Sequence, residues 1–86
     1  MMNTELLNAI QTRCNIYVTC YENDIKNGEL ILDRLLYYTR LLDDYENALR
    51  TMYFDFDCID DETFDLGVKM IGAFSNTLVD IYTENK

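Results

Sequence analysis

Eighty-six residues suffice for one small domain, of a size that buries about 60 to 65% of the surface its unfolded chain exposes. An apolar fraction of 49% with 13% aromatic residues is too high for a disordered acidic tail, so a packed core is expected. Sixteen acidic against seven basic residues give a formal charge of -9, which disfavours direct binding to nucleic acid or to an anionic membrane, because both require clustered Lys and Arg.

The first helix is expected over about Thr4 to Lys26, with Asn3 as its N-cap. Leu7, Ile10, Cys14, Tyr17 and Tyr21 recur there in steps of three and four, and Leu6, Val18 and Ile25 widen the stripe. Asn27-Gly28 then offers a left-handed stop. The second helix is expected over about 29 to 55, where Ile31, Leu35, Tyr38, Leu42, Tyr45, Leu49, Met52 and Phe56 keep a coiled-coil-like step throughout. The third is expected over about 61 to 83. Asp60 caps it, Ile59 and Phe64 stand at the positions of a hydrophobic staple, and Phe64, Gly67, Ile71, Phe74, Leu78 and Ile81 repeat the seam.

Gly67 on that stripe indicates close helix approach, whereas Gly72 costs roughly 0.5 to 1 kcal/mol relative to Ala with no reason evident in the sequence. No proline interrupts any of these segments. Short connections make sequential neighbours antiparallel. The expected fold is therefore all-α, a single domain over 1–86 forming an antiparallel up-down-up three-helix bundle with heptad seams. A third helix swapped into a partner chain is the structural alternative.

Catalytic material is scarce. Ser75 is the sole serine, histidine is absent, and no phosphate-cradling glycine pattern occurs, so no enzymatic activity and no cofactor are expected. Cys14, Cys20 and Cys58 form no C-x-x-C pair, which speaks against a zinc site or a disulfide framework and for reduced thiols. Cys14 falls on the core stripe, as an inert buried thiol would. The start Met1-Met2-Asn3-Thr4-Glu5 lacks a basic leader with an apolar run, so a cytoplasmic location is expected.

The stretch YFDFDCIDDETFD carries six carboxylates in the eleven residues Asp55 to Asp65, with no Lys or Arg among them. Read as a calcium loop from Asp55, it fits at Asp55 and Asp57 and fails at Ile59, Asp60 and Leu66, where the third ligand, the turn glycine and the bidentate Glu belong. Asp60, Asp61 and Glu62 are explained by the cap and first turn of helix 3, where negative charge opposes the dipole. Asp55 and Asp57 fall instead near the end of helix 2, where a carboxylate is unfavourable.

Antiparallel packing should bring Glu5 to the same pole as Asp55, Asp57, Asp60, Asp61, Glu62 and Asp65, and Asp43, Asp44 and Glu46 continue the negative surface along helix 2. A second candidate surface is apolar: Leu30, Leu36 and Tyr37 lie off the main seam of helix 2, as Ile16 and Val79 do on theirs, while Leu32 and Leu41 are expected to be core flanks.

In size, acidity and helical character, and in stretches such as YFDFDCIDDETFD and Asp43-Asp44-Tyr45-Glu46, the chain resembles small phage-encoded anti-defence proteins, among them anti-CRISPR and anti-restriction inhibitors. The resemblance implies a non-enzymatic inhibitor, either one whose carboxylates imitate nucleic-acid phosphates in the basic groove of a host enzyme or one that wedges an apolar helix face into its target. The rival expectation is a self-associating helical oligomer, a homodimer in its simplest form, in which charge serves solubility.

Overall fold

The computed structural model describes residues 2–86. It comprises three helices, α1 (Thr4–Lys26), α2 (Ile31–Arg50) and α3 (Asp61–Asn85), with a five-residue π-helical turn, Thr51–Asp55, continuing the end of α2. All three helices pack on one another in an all-α three-helix bundle measuring 43 × 20 × 16 Å.

The helix ends follow local chemistry. Asn3 accepts a hydrogen bond from the Leu6 amide (3.0 Å), and Asp60 accepts one from the Thr63 amide (3.2 Å), each replacing a partner that the first turn of a helix lacks. At the end of α1 the Gly28 amide donates to the Ile25 carbonyl and the Glu29 amide to the Asp24 carbonyl, the paired bonds of a Schellman motif. That motif requires a left-handed residue, and Gly28 supplies φ = 83°.

The core follows the apolar stripes. Ile10, Cys14 and Tyr21 of α1, Leu35, Tyr38, Leu42 and Leu49 of α2, and Ile71 and Leu78 of α3 are buried in one cluster. Ile59 joins them and Phe64 packs against the cluster, as a staple around Asp60 requires. Tyr21 is fully buried, and its hydroxyl donates to the Ile31 carbonyl at 2.8 Å, fastening the end of α1 to the first residue of α2. At the same end Arg34 Nε and the Tyr38 hydroxyl both donate to one Asp24 carboxylate oxygen, at 2.8 and 2.7 Å. These bonds, that from Tyr38 first, hold the Asp24 carboxyl below its ordinary value.

Five expectations need correction. α2 starts at Ile31 rather than near Glu29, with Leu30 in extended conformation ahead of it. Its α geometry ends at Arg50, short of 55, because the π-helical turn intervenes. A π turn adds a residue to the repeat, so the stripe that runs true to Leu49 loses its register, and Phe56 stands 72% exposed instead of in the core. Leu32, expected as a core flank, is 49% exposed, whereas Leu41 does pack against the core. α3 runs slightly further than expected, to Asn85.

Candidate protein-binding pole

One end of the bundle gathers the start of α1, the π-helical turn with its following loop, and the start of α3. The Asn3 amide donates to Thr63 Oγ1 at 2.8 Å, tying the residue before α1 to the first turn of α3. Thr63 is fully buried, so this bond also satisfies a polar side chain that lies out of reach of water. The Tyr53 hydroxyl donates to Asp61, and the Cys58 amide donates to the Met52 carbonyl at 2.9 Å, closing the loop from the turn to α3. The Tyr53 ring stacks on Phe64 with centroids 4.3 Å apart, and Phe54 meets the same ring edge-on at 5.6 Å.

The acidic residues separate under this geometry. Glu5, Asp55, Asp57, Asp61 and Glu62 are exposed at this pole, beside the half-buried cap Asp60. Asp65 is engaged by Lys69 at 2.9 Å and Glu46 by Arg50 at 3.1 Å, so each is neutralised by a cation one helical turn away. Asp43 and Asp44 are exposed further along α2. Asp55 and Asp57 take part in no ion pair among the described residues. Asp57 stands outside the helix at φ = 50°, a left-handed position that Asp tolerates better than most residues, which gives it a conformational role that its sequence position did not reveal. Asp55, the last residue of the π turn, has no such local role.

Two titrations respond to the same contacts. The Tyr53 hydroxyl is pushed up chiefly by its hydrogen bond to Asp61, and the Asp60 carboxyl is held down chiefly by the bond from Thr63. Elsewhere, burial pushes the Cys14 thiol up to about 11, the condition of an unreactive core cysteine. Among the described residues no group of three or more acidic or thiol side chains is arranged to hold a metal ion, and no helix is long and apolar enough to cross a membrane. A shallow groove over Thr12, Asn15, Ile16, Thr19 and Cys20 lies open on α1 alone.

No family model, curated protein or solved structure matches the chain.

The residues overlooked in the sequence are Phe54 and Phe56, exposed by 64% and 72% on either side of Asp55. A signal for them existed. Met52, Tyr53, Phe54 and Phe56 are four apolar residues in five, more than a single helical stripe can bury.

The apolar candidates divide as well. Tyr37 lies under the Arg34 guanidinium, 4.4 Å from its ring centroid, and edge-on to Tyr38 at 5.0 Å. Leu36 is one turn beyond Leu32 and shares its line on α2, about 100° round the helix from Tyr37. Leu30 precedes the helix in extended conformation, and Leu30, Leu36 and Tyr37 are all exposed. Ile16 and Val79 are exposed, as their outward positions suggested.

Proposed function

We propose that the protein is a non-enzymatic inhibitor or adaptor that docks through its acidic pole on the basic, nucleic-acid-binding groove of a partner protein. The observation that carries this reading is a run of exposed carboxylates, Asp55, Asp57, Asp61 and Glu62, on a surface that also exposes Phe54 and Phe56. Carboxylates that cap a helix or hold an internal lysine stabilise the fold, but Asp55 does neither, and a small domain gains nothing in stability by exposing two phenylalanines beside it. A cytoplasmic setting and a nucleic-acid enzyme of a host defence system as target agree with the anti-defence resemblance.

Binding of this kind weakens steeply with salt and competes with nucleic acid for the partner. Replacing Asp55, Asp57 and Asp61 by Asn together with Glu62 by Gln should weaken partner binding about tenfold or more and flatten its salt dependence. Unchanged affinity in that variant, measured by titration calorimetry across a salt series, would sink the reading.

Self-association is the second reading, favoured by Leu32 and Leu36 standing exposed on one line of α2. It predicts that the wild-type chain sediments as a dimer and that Leu36→Asp sediments as a monomer with unchanged helicity. A wild-type chain that stays monomeric as its concentration rises removes it.

A further inference from the structure

The fold itself shows how this chain grips a guanidinium. Arg34 donates to the Asp24 carboxylate at 2.8 Å while its guanidinium carbon lies 4.4 Å from the Tyr37 ring centroid and 5.2 Å from that of Tyr38. The planar, weakly hydrated cation is satisfied in its plane by a carboxylate and on its face by aromatic rings, a combination that a compact, strongly hydrated ammonium does not reproduce.

The pole exposes both kinds of side chain. Phe54 and Phe56 alternate with Asp55 and Asp57, all four are exposed, and residues 51–68 contain no Lys or Arg. Phe54 presents less than its whole surface because it leans on Tyr53 and Phe64, whereas Phe56 makes no ring contact among the described residues. A second copy of the chain is a poor occupant, since two such poles would bring like charges together, and nucleic acid or an anionic membrane is repelled for the same reason.

We propose that the pole is an arginine clamp, in which guanidinium groups of an Arg-rich protein segment stack on Phe54 and Phe56 while pairing with Asp55 and Asp57. This rests on the docking reading above and sharpens it, because a purely electrostatic surface treats arginine and lysine alike, whereas a stacking surface does not.

The test compares fluorescently labelled octa-arginine and octa-lysine peptides by anisotropy against the full chain over a salt series. Octa-arginine is expected to bind about tenfold tighter, the scale of two exposed cation–π contacts. In Phe54→Ala/Phe56→Ala the ratio should fall close to one with the salt dependence intact, while Asp55→Asn/Asp57→Asn should weaken both peptides.

Should the loss of Phe54 disturb the Tyr53–Phe64 stack, as near-ultraviolet circular dichroism would reveal, Phe56→Ala alone is expected to remove about half of the preference on a logarithmic scale. Equal binding of the two peptides to the wild type, or a preference that survives both Phe substitutions, overturns the clamp. Equal binding that is lost in the Asp variant overturns the clamp and leaves the docking reading standing. If neither peptide binds at low salt, both fall.

Discussion

Replacing Tyr21 by alanine is expected to lower the free energy of unfolding by about 3 to 5 kcal/mol. For a chain of this length the whole stability is about 4 to 13 kcal/mol, so the loss is a large share of it and unfolds the chain at the lower end of that range. Two effects combine at this position. The ring is fully buried where α1 meets α2, with its centroid 5.8 Å from that of Tyr38, so its removal leaves a cavity in the core. The hydroxyl serves the Ile31 carbonyl at the start of α2, so truncation also takes a partner from a backbone group at the join of the two helices.

Tyr21→Phe separates these effects, since it keeps the ring and loses the hydrogen bond alone. Its cost should be about 1 kcal/mol. Urea denaturation followed by circular dichroism measures both variants. If Tyr21→Ala shifts the midpoint no further than Tyr21→Phe, burial of the ring is not what holds the first hairpin together.

Those parts of the architecture that obey local rules were legible in the sequence. Asn3 and Asp60 cap their helices because a short polar side chain before an apolar repeat has few better conformations, and Gly28 ends α1 because only a residue free of a Cβ enters the left-handed region without strain. The buried stripes came from periodicity for the same reason: one face of each helix is shared with its neighbours. The i,i+4 pairings of Glu46 with Arg50 and Asp65 with Lys69 were also readable, and reading them would have taken two residues from the acidic surface at the outset.

What periodicity cannot supply is a change of period. The π-helical turn at Thr51–Asp55 depends on how the end of α2 meets the loop to α3, through the Phe56 amide bond to Thr51 and the Cys58 amide bond to Met52. A stripe extrapolated from upstream therefore placed Phe56 in the core when it stands in solvent. The clustering of Asp24, Arg34, Tyr37 and Tyr38 was equally hidden, because it joins residues on two helices whose relative rotation no single helix specifies.

Gly67 and Gly72 lie on the same helix only five residues apart, yet substitution should move stability in opposite directions. Gly67 faces both other helices: a Cβ added there would stand 2.9 Å from Leu49 Cδ1 of α2 and 3.5 Å from Ile10 Cδ1 of α1. The first distance is shorter than carbon atoms tolerate, so Leu49 must move. Leu49 is itself 2% exposed in a filled core, and its displacement is passed on to the side chains around it.

Gly67→Leu adds four carbons at this point and is expected to cost about 3 kcal/mol, the upper end of ordinary overpacking, despite the gain of about 1 kcal/mol in helix propensity. At Gly72 an added Cβ meets nothing within 4 Å, so Gly72→Ala keeps that propensity gain and should stabilise the bundle by about 0.5 to 1 kcal/mol. Thermal melts of both variants decide the matter. A Gly67→Leu chain that melts at or above the wild-type temperature would mean that α3 does not pack against Leu49 and Ile10 at the distance described, and with it the close approach of the three helices would go.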